Sequence, residues 1–285
     1  MEKLKFETSI NAPREKVWEA LWQPFHYNTW TSAFAEGSTA KTDNWKEGSK
    51  VLFVDGSGQG MVSKVAANRP NEYMSFQHLG MIKDGVEDTS SNEVKAWAGS
   101  TENYTLSGNN GSSKLTVEMD ISPDFKEYFE KTWPLAIEKL KGLAEGTTLP
   151  VITVESEVHA PVAKVWKTWT TPEHIMQWNN ASDDWHTPKS TNDLRVGGSF
   201  SATMAAKDGS FSFDFGGVYT AVKENELIEY TLGDGRKVKV IFKDKGDSTV
   251  VTERFEAEGT HSLEMQHGGW QAILNNFKKY TESQK

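Results

Sequence analysis

Apolar and polar residues alternate along two short stretches of the chain, residues 4–10 and residues 152–158. Strict alternation over this length predicts a β-strand with one buried face. A proline follows each stretch, Pro13 or Pro161, and apolar residues then recur at helical spacing. Proline suits the first turn of a helix because its fixed φ matches helical geometry and its missing N–H is not needed there. Each stretch therefore predicts a strand followed by a short helix.

The same residues belong to an internal repeat of domain length. Residues 10–18 return as residues 158–166, a shift of 148 positions. The shift still holds between Trp30 and Trp178, where a second short helix is predicted to end. Solenoid repeats are only about 20–50 residues long, so this period is that of a whole domain. The chain is predicted to use one fold twice.

A short segment separates the two copies. Residues 142–150 hold two glycines, two threonines and a proline directly after an apolar helical pattern. This composition is typical of a helix end followed by a linker. We therefore predict a first domain over 1–146 and a second over 150–285.

Between the opening helices and the end of each copy, alternating stretches are separated by short polar turns, which predicts an antiparallel meander. In the second half the predicted strands are 198–206, 211–222, 226–232, 236–243 and 248–257. In the first half they are 49–55, 59–68, 72–79, 93–97, 101–107 and 113–121. The polar stretch 83–92 has no counterpart in the second half, and we expect a flexible loop there.

An apolar stripe at helical spacing ends each copy, and it predicts a long helix. In the first half the helix is expected to begin after Ser122, and Pro134 inside the pattern predicts a kink or break. In the second half Trp270, Leu274 and Phe277 form the stripe. A long helix against an antiparallel sheet buries the apolar faces of both elements.

The composition excludes several classes of function. The formal net charge is −9 with no cluster of Lys and Arg, which argues against nucleic acid as a partner. The chain has no cysteine, which excludes disulfides, thiolate metal sites and cysteine nucleophiles. Because no long apolar run is present, we expect no membrane span and a cytoplasmic location.

Sequence motifs then point to a family. They are His159-Ala160-Pro161, Thr171-Pro172-Glu173-His174, Asp193-Leu194-Arg195-Val196-Gly197-Gly198-Ser199-Phe200, Phe215-Gly216-Gly217-Val218-Tyr219 and Gly269-Trp270. With them, roughly residues 150–283 resemble the START-like (SRPBCC, helix-grip) superfamily, and within it the activator of Hsp90 ATPase homologue 1-like (AHSA1) family. The first half is similar but diverged, since Asn44-Trp45-Lys46-Glu47-Gly48 stands where that family has Asp-Leu-Arg-Val-Gly-Gly.

The resemblance implies an α+β fold of two helix-grip domains of the Bet v 1/START-like type. Each would have a curved antiparallel sheet of six to seven strands around a long C-terminal helix, with two short helices after the first strand. It also implies a cavity for a small hydrophobic ligand, and the second domain keeps more of the family's motifs. Fold alone does not select one function. A binding protein for a small apolar molecule, an Hsp90-activating cochaperone or stress-response protein, and a cyclase or lyase all remain open.

Aromatic residues and methionines predict the cavity walls. Three phenylalanines of the segment 211–215 share one strand face, and either a cavity wall or plain core packing would explain them. The candidates in the second half are Phe200, Met204, Phe211, Phe213, Phe215, Tyr219, Tyr230, Trp270 and Leu274, with His267 as a polar anchor at the mouth. Those in the first half are Phe53, Met61, Phe76, Trp97, Tyr104 and Trp133.

Catalytic and metal chemistry finds little support in the sequence. Glu264 and His267 lie one helical turn apart, but a helical di-metal site needs two such pairs and further carboxylates. No arrangement of Ser, His and Asp predicts a triad, and no acid–base pair stands out. We therefore expect no metal, no cofactor and no catalytic residue.

Overall fold

A computed structural model of the protein describes residues 1–109 and 111–284. The chain forms two compact units, Met1–Pro150 and Val151–Lys285. Each unit has one antiparallel sheet, two short helices after its first strand, and one long helix near its C-terminal end. The predicted fold class, two helix-grip domains of the α+β type, is confirmed.

The first domain begins with a strand and two short helices, and it ends with its longest helix. Its elements are β1 (Glu2–Ile10), α1 (Arg14–Trp22), α2 (Pro24–Thr31), β2 (Thr39–Lys41), β3 (Lys50–Val54), β4 (Gly60–Arg69), β5 (Tyr73–Lys83), β6 (Val86–Asp88), α3 (Asn92–Lys95), β7 (Thr101–Asn109), β8 (Ser112–Ile121) and α4 (Lys126–Glu145). The sheet order is β1-β8-β7-β5-β4-β3-β2, and β6 pairs with β5.

The second domain repeats this plan without the β6 and α3 additions. Its elements are β9 (Val151–Val158), α5 (Val162–Thr170), α6 (Pro172–Trp178), β10 (Trp185–Asn192), β11 (Ser199–Ala206), β12 (Ser212–Lys223), β13 (Leu227–Leu232), β14 (Lys237–Asp244), β15 (Thr249–Glu256) and α7 (Leu263–Ser283). The sheet order is β10-β11-β12-β13-β14-β15-β9. The sheets therefore correspond strand by strand, with β8 matching β15 and β7 matching β14.

One buried hydrogen bond occurs in both domains and fixes the register of the first strand. The Ser113 hydroxyl donates to the Ala12 carbonyl at 2.7 Å, and the Thr249 hydroxyl donates to the Ala160 carbonyl at 2.9 Å. Ser113 pairs with Ile10 on β1, and Thr249 pairs with the matching residue on β9. A buried carbonyl needs a donor, so each domain satisfies its turn with a hydroxyl.

A second shared contact joins the start of each domain to its long helix. The Asn11 N–H donates to Glu145 Oε1, and the His159 N–H donates to Glu282 Oε1, both at 2.8 Å. Asn11 and His159 are related by the repeat. The repeated segment therefore supplies contacts that hold the helix against the sheet in both domains.

Glycine is required in the motif that precedes β11. The Arg195 guanidinium pairs with both oxygens of the Asp193 carboxylate, at 3.1 and 2.9 Å. A Cβ on Gly198 would lie 2.1 Å from the Asp193 carbonyl oxygen, and Gly197 has a φ of 79°. The backbone turns too tightly here for a side chain at either position.

Two predictions about the first domain are wrong. The expected strand 93–97 is the short helix α3, because the Ser91 hydroxyl caps it by accepting from the Val94 N–H at 3.2 Å. The stretch 83–92, expected to be a flexible loop, holds β6. Asp84 and Gly85 both take positive φ values, 52° and 77°, and this turn folds β6 back onto β5.

Of the kink or break predicted at Pro134, the break is wrong, since α4 is continuous from Lys126 to Glu145. Pro134 and Glu130 lie on the exposed side of α4, where water can hydrate the Glu130 carbonyl that lacks its helical donor. The edge strands β2 and β10 were not predicted. β10 pairs with β11 alone, and its polar sequence has no apolar alternation.

Candidate functional site

Each domain encloses a cavity beside its long helix. The cavity of the first domain, called the first cavity here, has a volume of about 600 Å³ and is walled by Phe53, Phe76 and Trp133 among others. The cavity of the second domain, called the second cavity, has a volume of about 580 Å³ and is walled by Phe200, Tyr230 and Trp270 among others. Both volumes lie in the range of about 300–1,000 Å³ that is typical of small-molecule sites.

The structure brings the predicted wall residues of the first domain together. The first cavity is lined by Phe53, Met61, Phe76, Trp97, Tyr104 and Trp133, together with Trp22, Tyr27, Trp30, Phe34 and others. Trp22, Tyr27, Trp30 and Phe34 come from or directly follow α1 and α2, and they are not among the predicted wall residues. No local pattern predicts their contribution, because α1 and α2 contact α4 and the sheet through residues far away in the sequence.

In the second domain most, but not all, predicted residues lie together. The second cavity is lined by Phe200, Met204, Phe213, Phe215, Tyr219, Tyr230 and Trp270. Three predicted residues, Phe211, His267 and Leu274, are not among its lining residues.

Phe211, His267 and Leu274 lie outside the lining for different physical reasons. Phe211 precedes β12, is 60% exposed and packs against Trp185, so strand alternation does not direct it inward. Leu274 is 1% exposed and belongs to the packed core. His267 lies one position past Gln266, and Gln266 is the buried residue of that helical turn, so Gln266 faces the second cavity instead.

A chain of four polar side chains reaches the first cavity from the sheet. Ser63 Oγ and His78 Nδ1 are hydrogen-bonded at 2.8 Å, and His78 Nε2 lies 3.5 Å from Glu102 Oε2. The Tyr104 hydroxyl donates to the other Glu102 oxygen. Ser63 is fully buried, whereas His78, Glu102 and Tyr104 line the cavity. No local sequence pattern predicts this chain, because its members lie on β4, β5 and β7 and meet only through strand pairing.

Burial gives this chain its electrostatic character. It raises the pKa of Tyr104 well above the ordinary value, and the neighbouring Glu102 charge adds to the shift. Tyr27 responds in the same way to the same two causes. Both phenols therefore stay protonated at neutral pH and can donate hydrogen bonds, while Glu102 accepts one of them.

The second cavity holds a different acidic group. The Glu253 side chain lines the cavity wall beside Tyr230 and is only 6% exposed. Burial raises its pKa from 4.5 to about 8. A carboxyl group in an apolar pocket keeps its proton because the charged form loses its hydration. Tyr219 donates to Asn192 Oδ1 at 2.8 Å, and burial raises its pKa.

Strand register shows that the two acids occupy unrelated positions. Glu253 pairs with Val154 on β9, and the corresponding pair in the first domain is Val117 with Phe6. Glu102 pairs with Met119 on β8. The corresponding residue of β14 is Val238, which pairs with Phe255 on β15. Each domain therefore has a valine at the strand position where the other domain has its acid.

Comparison with known proteins identifies the family. The family model described as "Activator of Hsp90 ATPase homolog 1-like protein" matches residues 11–145 and again residues 159–282. The chain belongs to this family. Both copies of the repeat match it, including the first, which lacks the Asp193–Gly198 motif of the second.

Among the solved structures to which the chain is similar, two match about half of its length and one matches its whole length. An AHSA1-like protein from Aeromonas hydrophila is 44% identical, with a TM-score of 0.45, over 47% of this chain and 92% of that protein. A protein from Cytophaga hutchinsonii is 60% identical, with a TM-score of 0.42, over 46% of this chain and 91% of that protein. The di-domain aromatase/cyclase BexL is 13% identical, with a TM-score of 0.42, over 100% of both chains. No curated protein matches the chain.

Metal sites and membrane-spanning helices were both searched for in the described residues. Among residues 1–109 and 111–284, no three His, Asp or Glu side chains come together as a metal site. None of the helices in that part of the chain is long and apolar enough to span a bilayer.

Proposed function

We propose that this AHSA1 protein binds a small, largely apolar molecule, with the second cavity as its principal site. The observation that carries the proposal is an aromatic-walled space of about 580 Å³ between sheet and long helix. Trp270 of α7 stacks on Phe255 at a centroid distance of 3.8 Å, and Phe215 meets the same indole edge-on at 5.7 Å. These contacts hold the wall rigid, so binding would cost little side-chain ordering.

The wall also combines rigid and adaptable parts. Phe200 contacts both Tyr219 and Tyr230, with centroids at 5.2 and 4.8 Å, and forms one aromatic side. Met265 at the start of α7 lines the same space but is exposed, and a flexible thioether adapts to differently shaped apolar ligands. This combination favours binding of an aromatic or polycyclic molecule over a tightly shaped polar one.

Filling the second cavity should strongly weaken ligand binding without unfolding the domain. Ala202 is buried on the cavity wall, and Ala205 lies on the other face of the same strand. We expect Ala202→Trp to weaken binding of a neutral naphthalene probe by at least about tenfold, because the indole occupies its space. Fluorescence titration measures the affinity, and native mass spectrometry of freshly purified protein detects a co-purified molecule.

The matched control for this substitution is Ala205→Trp. It adds the same indole to β11 outside the lining residues and should leave the affinity within about twofold. Thermal unfolding of both variants establishes that they are folded. Equal binding by wild type, Ala202→Trp and Ala205→Trp would remove the second cavity as the principal site.

Acid–base catalysis in the first cavity is a second candidate, favoured by the Ser63–His78–Glu102–Tyr104 chain. His78 and Glu102 are the kind of pair that moves protons in apolar sites. A benzisoxazole whose ring opens on loss of its C–H proton reports such a base. We expect Glu102→Gln to lower this rate about 100-fold or more, the usual contribution of a positioned base. Exposed Glu118 supplies the control, and a Glu118→Gln loss of equal size would contradict the assignment.

The remaining alternatives have less support. An Hsp90-activating role rests on the family description alone. It stays a prediction, and the ATPase rate of a cognate Hsp90 with and without this protein would test it. The cytoplasmic location likewise stays a prediction.

A further inference from the structure

The Glu253 carboxyl group is an unpaired buried acid. It is 6% exposed and lines the second cavity. Among the described residues, burial is the one cause that shifts the pKa of Glu253, and no hydrogen bond or neighbouring charge contributes to the shift. Buried polar groups are normally paired, and an unpaired one costs about 1–3 kcal/mol. Such a group calls for an explanation beyond the scaffold.

The scaffold itself does not need an acid at this position. Val154 and Val240 flank Glu253 on the neighbouring strands. In the first domain the corresponding residue is Val117, which is fully buried in a sheet of the same topology. A valine therefore builds the same strand at lower cost, and the carboxyl group is better explained by what enters the cavity.

The groups that face Glu253 are neutral and do not stabilise the charged form of its carboxyl group. Tyr230 on β13 and Tyr219 on β12 are neutral phenols, and Val154 on β9 and Val240 on β14 are apolar. From α7, the lining residues are Met265, Gln266, Gly269, Trp270 and Ile273, with no ionisable group among them.

The other charged lining groups already have partners. Arg236 donates to Asp234 Oδ2 at 2.8 Å and to the Glu256 carbonyl at 3.1 Å. Glu258 accepts from the His261 N–H at 2.9 Å, and its carboxylate contacts the His261 ring at 2.7 Å. Burial therefore keeps Glu253 protonated at neutral pH, with a pKa of about 8. In that form it has one O–H to donate.

We propose that the second cavity selects a neutral apolar molecule with a single hydrogen-bond acceptor, such as a carbonyl oxygen, and that Glu253 donates to this acceptor. The inference rests on the proposed function and adds the ligand's chemical class and its specificity residue. An amine fits less well, because Glu253 would have to ionise in mostly apolar surroundings and because the Arg236 cation on the same wall repels an ammonium group. A plain hydrocarbon would leave the carboxyl group unpaired.

Three naphthalene probes of similar size test the inference on the full-length protein. They are an acylnaphthalene ketone whose emission shifts to the red when its carbonyl accepts a hydrogen bond, the matching alkylnaphthalene, and the matching naphthylalkylamine. Only the part of the probe binding that disappears in Ala202→Trp is assigned to the second cavity. We expect the ketone to bind wild type about tenfold more tightly than it binds Glu253→Val, with a blue shift in that variant. The alkylnaphthalene should bind both about equally.

The pH dependence supplies an independent arm. Ketone affinity for the wild type should fall as pH rises through about 8, when Glu253 loses the proton it donates. Glu253→Gln keeps an N–H donor at every pH, so its ketone affinity should stay flat. Glu229→Gln is the control, because Glu229 lies on β13 beside Lys239 and outside the lining residues.

The possible outcomes distinguish failure of the inference about Glu253 from failure of the proposed function. Ketone and alkylnaphthalene affinities that are equal and unaffected by Glu253→Val would overturn the inference and leave the proposed function standing. Tighter binding of the amine, lost in Glu253→Gln, would overturn it in favour of a cationic ligand. If no probe binds, the proposed function fails and the inference fails with it.

Discussion

Replacing Trp133 with alanine is expected to lower the free energy of unfolding of the first domain by about 3–5 kcal/mol. Trp133 is the largest anchor of α4 and is only 2% exposed. Its ring packs against Phe6 at 5.6 Å and Trp30 at 6.0 Å, and its indole N–H lies 3.1 Å from Met119 Sδ. Truncation removes all of these contacts and leaves a hole beside an existing cavity.

Chemical denaturation measures this loss, with amide exchange in α4 assigning the transition to the first domain. Leu135→Ala is the control on the same helix, since Leu135 is 61% exposed. It should change the unfolding free energy by less than about 0.5 kcal/mol. Equal effects at the two positions would show that α4 is not held by its buried face.

The second large effect is a pH dependence set by Glu253. Its pKa is about 8 in the folded protein and has an ordinary value of 4.5. Below pH 4.5 both folded and unfolded chains hold the proton, so ionisation of Glu253 does not change the stability. Between these values only the unfolded chain releases it, which favours unfolding. Stability should therefore fall by about 5 kcal/mol in total as pH rises from 4.5 to 8.

Glu253→Gln cannot ionise and should lose this pH dependence. We expect the variant and wild type to have their smallest stability difference near pH 4.5, and the variant to be more stable by several kcal/mol at pH 8. Urea denaturation across this range, with amide exchange in β13–β15, provides the measurement. Parallel curves for the two proteins would contradict a buried protonated carboxyl group. Glu229→Gln, half-exposed and ion-paired, should follow the wild type.

Trp133 and Glu253 are both buried residues that line a cavity, yet only Trp133 was predicted from the sequence. Trp133 was predicted as a wall residue because it falls on an apolar stripe, and helical spacing alone places it inward. Glu253 was not singled out, although it stands among buried residues of β15. Alternation places Glu253 on the same strand face as Val251 and Phe255, but an acid is normally expected on the solvent side of a strand.

The first cavity shows the same limit. Phe76 and Tyr104 were predicted as wall residues from their type. His78 and Glu102 lie two positions from them on the same strands, and no local signal connects them. Only the pairing of Phe76 with Glu102 across β5 and β7 brings the histidine, the carboxylate and the phenol to one place.

Local chemistry was enough to predict much of the repeated scaffold, because the proline before each first helix, the alternating strands and the apolar stripes of the long helices reflect interactions within a few residues. The shift of 148 positions between the two copies is read directly from the sequence. Strand register, by contrast, is set by contacts far apart in the sequence. It decided that Glu253 stands where the first domain has Val117, and that His78 meets Glu102. The polar chemistry of each cavity was therefore decided by the tertiary structure, because it depends on which strands become neighbours.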